Sequence, residues 1–179
     1  MSAMVTVPMK KMTPLPQRTA TTCWYTCLEM MFTWKERDPG EIKDLLVNAG
    51  ILWDDACKTG LKAKDYQRAA KALGLKAWGS GSGWSGANFA SFCAASPVWV
   101  AGNWKGYNHN VVVIGASRDQ VKFIDPWWEG VAEASIETWT EKLFCRGTSK
   151  EQNGAEHHAH WIGSVMAWGS AVPWGLVPE

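Results

Sequence analysis

His109-Asn110-Val111-Val112-Val113-Ile114-Gly115-Ala116, then Ser117-Arg118-Asp119, then Gln120-Val121-Lys122-Phe123-Ile124-Asp125-Pro126-Trp127, is the stretch that decides the fold. Its two apolar runs predict strands over 110–116 and 120–124, and the three polar residues between them predict a tight turn. Strands joined this way are antiparallel, so the start of the first lies beside the end of the second. His109 and Asp125 are therefore expected as neighbours across the ladder, the carboxylate accepting a hydrogen bond from the imidazole. Taken singly, His109 reads as an edge or core residue and Asp125 as the cap of a turn before Pro126.

Upstream, Pro97 starts a further strand, Val98 to Ala101, after a short helix around Asn88 to Ala95. Before that the composition shifts: Gly79-Ser80-Gly81-Ser82-Gly83 reads as a flexible connector and a lobe boundary. The front half is helical. Thr21 and Thr22 offer cap oxygens, and Trp24, Cys27, Leu28, Met31 and Trp34 follow at helical spacing, with Glu29 and Lys35 off the stripe. A second helix is punctuated by Asp38, Pro39, Glu41 and the stop at Gly50, with Ile42, Leu45, Leu46 and Ala49 inward. A third runs from about Lys62 to Leu73 and closes at Gly74. Downstream, a helix near Glu137 to Phe144 and a strand at Trp161 to Ala167 are expected.

These elements predict an α+β chain of one domain. A helical lobe over about 14–78 packs on an antiparallel β lobe over about 86–179, with a cleft between them. Its 179 residues suffice for a real core. A formal net charge of +1, without a basic stripe, argues against nucleic acid. Apolar stretches are too short to span a bilayer, and the N-terminal residues lack the apolar region of a signal peptide. Synthesis in a reducing cytoplasm is expected. Five cysteines without a CxxC pair fit neither a disulfide framework nor a structural zinc. Thirteen Trp is unusual; most should fill the core, and a Trp-lined substrate groove is the sharper alternative.

A thiol attacks as the thiolate, which a helix N-terminus or a neighbouring imidazolium favours. Cys23 sits at a helix start. Cys27 lies a turn deeper, Cys93 and Cys145 are in apolar surroundings, and Cys57 falls in a polar loop. His157, His158 and His160 beside Glu156 lack a second ligand cluster, so no metal is expected. The glycine connector lacks the Lys-Ser/Thr ending of a phosphate-binding loop. No cofactor is implied.

Together these residues resemble the papain-like cysteine peptidases. Gln17 precedes Cys23 by six and Trp24 follows it. His109, Val111 and Gly115 match H-x-V-x-x-x-G, Asp125 lies sixteen residues after His109, and Trp127 stands two beyond. The resemblance covers about 14–34 and 97–128. It implies Cys23 as nucleophile, His109 as base, Asp125 orienting the base, Gln17 completing an oxyanion hole, and Trp127 shielding the His–Asp bond. Trp24 and Trp127 are the candidates for substrate contact. Asp125 replaces the Asn of papain, and Thr21-Thr22 replaces its Gly-Ser. The short interval from Cys23 to His109 is more similar to compact bacterial branches: double-glycine leader peptidases, which the segment 60–75 also resembles, and injected effector proteases. Residues 129–179 match no motif.

The resemblance implies a protein or peptide substrate and cleavage possible after Gly-Gly. Too few residues precede Cys23 for an inhibitory propeptide, so restraint is expected from narrow specificity or a cognate inhibitor (immunity) protein. That suggests an exported bacterial effector or toxin. Open alternatives are a peptidoglycan amidopeptidase or deamidase with the same Cys-His pair, and a catalytically silent binding module.

Overall fold

The computed structural model describes residues 3–7, 12–78, 85–104, 107–128, 130–135, 146–149, 157–160 and 162–169. The glycine connector and the helix expected near 137–144 lie outside them.

Strand β4 (Tyr107–Ala116) is the axis of the molecule. Val111, Val112, Val113 and Ile114 are all buried, although successive residues of a strand face opposite ways. Both faces of the sheet are covered here, and a run without alternation is what such a strand requires. The helices packed on it are α1 (Cys23–Trp34) and α5 (Gly86–Cys93). On one side β4 pairs with β5 (Gln120–Asp125), through Val112↔Ile124 to Ala116↔Val121. On the other it pairs with β3 (Val98–Trp104). The turn between β4 and β5 is the expected one, with Ser117 Oγ accepting from the amides of Asp119 and Gln120. β4 begins earlier than the apolar run suggests, so His109 lies within the strand, paired opposite Gly102.

The sheet extends to β6 (Gly130–Ser135) beyond β5, and to β9 (Ile162–Ala167) and β2 (Lys76–Trp78) beyond β3. All pairings are antiparallel. β1 (Val5–Thr6) pairs with Gly115 and Ala116 at the end of β4. Two strands from the helical half, β1 and β2, thus belong to the sheet, and their pairing crosses the expected lobe boundary. Gly115, the glycine of the H-x-V-x-x-x-G pattern, has a packing reason. A Cβ there would lie 2.6 Å from Thr6 Cγ2 and 3.2 Å from the Val5 carbonyl oxygen, so β1 can lie this close only to glycine. β7 (Arg146–Ser149) and β8 (His157–His160) form a separate two-stranded pair.

The helices of the front half are α2 (Glu41–Asn48), α3 (Trp53–Thr59) and α4 (Tyr66–Leu73), the last entered by a 3-10 turn at Ala63–Asp65. Gly74 ends α4 at φ +75, the left-handed conformation that glycine adopts without a steric penalty. Asp38 does not cap α2 directly. Its Oδ1 accepts from Gly40 N, and Glu41 bonds to Arg37 instead of reaching back. Cys57 lies on α3, a helix the polar sequence there did not announce. Among the described residues no helix is long and apolar enough to cross a membrane.

α1 is buried almost all round, including Glu29, which the apolar stripe placed on the solvent side. Its carboxylate receives both ends of the Arg18 guanidinium, Nη1 to Oε2 and Nη2 to Oε1, each at 2.9 Å. A buried carboxylate is tolerated when paired and hydrogen-bonded in this two-point way. The pair fastens the loop before α1 to the helix itself.

Candidate active site

Cys23 is the first residue of α1, with Thr22 as N-cap. The Thr22 side chain does not cap the helix. Its Oγ1 accepts instead from the backbone amide of Thr19, 3.1 Å away. Among the described residues the first amides of α1 therefore keep no side-chain acceptor, and the positive end of the helix is presented at the cysteine. Cys23 as a residue is only 5% exposed.

His109 approaches from β4 and Asp125 from the end of β5. His109 Nε2 lies 2.8 Å from Asp125 Oδ1, with both side chains nearly buried. The same oxygen accepts from the backbone amide of Trp127 at 2.9 Å, which fixes the carboxylate across the turn after β5. An ionised carboxylate only accepts, so Nε2 carries the hydrogen and Nδ1 is the nitrogen left for Cys23. Burial disfavours the charged ring. Hydrogen bonds to Asp125 and to Cys23, with their charges, outweigh that and raise the His109 pKa to about 9. Near neutral pH the ring is an imidazolium.

The other described cysteines lack such a setting. Burial pushes the Cys27 thiol well up and that of Cys93 to about 12. Burial and Asp54 raise Cys57, which lies partly exposed on α3. Cys145 lies outside the described residues.

Gln17 sits in the loop before α1 and is held from two directions. Its backbone amide donates to the Pro126 carbonyl at 2.9 Å, next to Asp125, and its neighbour Arg18 is clamped to Glu29. Its side-chain Nε2 donates to the Thr19 carbonyl at 2.7 Å rather than to Cys23, and Oε1 is buried without a partner among the described residues. An amide nitrogen carries a second hydrogen beyond the one given to Thr19.

The two Trp candidates part company. Trp24 is completely buried; its Nε1 donates to Ala56 of α3, and its carbonyl accepts from Trp99 of β3, each at 3.1 Å. One residue along a helix is a rotation of about 100°, which carries Trp24 from the site into the core. The expectation that it contacts substrate is corrected: it locks α1 between α3 and the sheet. Trp127 is 53% exposed and Trp128 72%, so the turn beside Asp125 presents two indoles at the surface. Sequence reasoning missed Asn110, whose Oδ1 lies 3.5 Å from Cys23 Sγ. Among the described residues no cluster of three His, Cys, Asp or Glu is placed to hold a metal.

Comparison with known proteins bears on this arrangement. Residues 1–144 match the model of the family described as papain-like cysteine protease AvrRpt2. No curated protein matches the chain. Among solved structures, the peptidase domain of Streptococcus ComA, a bi-functional ABC transporter involved in a quorum-sensing pathway, is similar. Its TM-score is 0.55 at 18% identity, over 88% of this chain and 98% of that one. A double glycine motif protease from an AMS/PCAT transporter, solved with the leader peptide, is similar at TM-score 0.50 and 19% identity, over 87% and 90%. At these identities the likeness is one of fold, an α+β papain-like one.

Proposed function

The chain belongs to the papain-like cysteine proteases, the family whose model matches residues 1–144, and on that premise we propose that it is an endopeptidase cutting polypeptides after a Gly-Gly pair. The observation that carries the reading is the His109 Nε2–Asp125 Oδ1 bond of 2.8 Å, set against a cysteine at the head of α1.

In this reading Cys23 attacks the scissile carbonyl as the thiolate, forming the C–S bond. The developing oxyanion is met by the Cys23 backbone N–H and by the second hydrogen of Gln17 Nε2. His109 gives its Nδ1 proton to the leaving amine as the C–N bond breaks, then takes a proton from the water that hydrolyses the thioester. Asp125 holds the ring in the tautomer this needs. The burial of Cys23, a residue only 5% exposed, supports a substrate without side chains at the cut, and the exposed Trp127 and Trp128 supply apolar surface for residues further off. The likeness in fold to proteases of the double-glycine type supports the same specificity.

The sequence resemblance to injected effector proteases supports a bacterial effector or toxin, delivered into a target cell by a specialised secretion system and held off in its maker by a cognate inhibitor. Peptides containing Gly-Gly, and versions with either glycine replaced by alanine, test the specificity. Cleavage of the parent with loss of both variants is expected. Equal cleavage of all three would refute the Gly-Gly reading, and cleavage of muropeptides alone would move the target to the cell wall.

A further inference from the structure

Asn110 follows His109 on β4 and is 7% exposed, at the head of four fully buried hydrocarbon side chains. A buried amide is costly unless its polar atoms are paired, so its partners indicate its purpose. It has two. Nδ2 donates to the Val100 carbonyl of β3 at 3.5 Å, and Oδ1 accepts from Cys23 Sγ, also at 3.5 Å. Chemistry fixes the orientation of the amide. The Val100 carbonyl is an acceptor only, so the NH2 group must face it. A half-turn of the amide would set two oxygens against each other there. The atom facing the sulfur is therefore the oxygen, which accepts from S–H and repels a thiolate.

We propose that Asn110 is a second group acting directly on the nucleophile, opposed to His109: its carbonyl oxygen, set against the sulfur, disfavours the thiolate that His109 stabilises and so moderates the reactivity of Cys23 in the free enzyme. Among the described residues the other groups facing Cys23 are His109 on β4 with Asp125 of β5 behind it, the Tyr66 phenol of α4, and Cys27 one turn along α1. Burial keeps Tyr66 and Cys27 neutral at ordinary pH. His109 and Asp125 thus supply the charge in this set, and Asn110 supplies the uncharged dipole against the sulfur. The inference rests on Cys23 as the nucleophile and not on Gly-Gly specificity.

Alkylation by iodoacetamide, followed on the Cys23 peptide by mass spectrometry across pH, tests it without any substrate. Cys57 in the same sample serves as the reference thiol. Asn110→Leu keeps the volume and removes the acceptor. Its rate profile should shift down by about half a pH unit, about threefold faster on the rising limb, the size of one modest hydrogen bond. Asn110→Asp, which keeps an oxygen against the sulfur in either protonation state, should leave the midpoint in place or raise it. Asn110→Ala carries the same expectation as Leu should circular dichroism show that Leu does not fold. A midpoint unchanged or raised in the acceptor-free variant overturns the inference. If His109→Ala leaves the alkylation profile of Cys23 where it stands in the wild type, the nucleophile assignment falls instead.

Discussion

Replacing Asp125 by Asn tests the electrostatics of the site with almost no change of shape. The Asn Oδ1 can still accept from His109 Nε2 and from the Trp127 amide, so geometry is kept and charge is lost. With the two charge centres about 4 Å apart and an effective dielectric constant near 20, the carboxylate stabilises the imidazolium by about 4 kcal/mol. The amide's own hydrogen bond returns about 1 kcal/mol of that. The remainder corresponds to about two pH units. His109 should therefore fall from about 9 toward about 7, because burial, which opposes the charge, is then opposed mainly by Cys23. The assay is kcat/KM on a fluorogenic peptide from pH 6 to 10. The alkaline limb, near 9 in the wild type, should move down to about 7 in the variant. A companion effect appears in stability. The folded value of His109 lies above its ordinary 6.5, so its contribution is complete below that pH and is lost as pH rises through about 9. The urea midpoint of the wild type should decline over that interval, and Asp125→Asn should flatten the decline. An alkaline limb still near 9 in the variant would refute the reasoning, because the charge on the ring would then be held by something else.

Three further outcomes are expected. Gln17→Ala should lower kcat about a hundredfold with little change in KM, since an oxyanion donor acts on the transition state alone; steady-state kinetics decides it. Arg18→Met leaves the buried Glu29 carboxylate without its two 2.9 Å donors and loosens the Gln17 loop. It should lower the melting temperature by several degrees, a loss of about 2 kcal/mol, and reduce kcat. Gly115→Ala drives a Cβ against Thr6 Cγ2 and should cost about 1–3 kcal/mol in a urea titration. Thr6→Ala in the same chain should restore part of that loss.

What the sequence made legible was local. The His109–Asp125 pair follows from two strands and a three-residue turn, so nothing distant had to be known. Cys23 at the start of a helix follows from apolar spacing that begins just after it. What stayed hidden depended on partners far along the chain. β1 and β2 are two and three residues long and exist because Gly115–Ala116 and Val165–Ala167 pair with them. Burial of Glu29 is intelligible only with Arg18 in place. α3 has Leu52 at its N-cap and only Ala56 buried, so it carries neither a cap signal nor an apolar stripe. Trp24 was misjudged because adjacency to Cys23 in sequence is not adjacency to the cleft on a helix. Asn110 carried no signal among valines beyond being polar.

The most direct test of the central claim compares wild type with Cys23→Ala on a bacterial lysate and maps every new protein terminus. The account predicts termini found only with the wild type, clustered after Gly-Gly. New termini in equal number with Cys23→Ala, or none with the wild type, would contradict it.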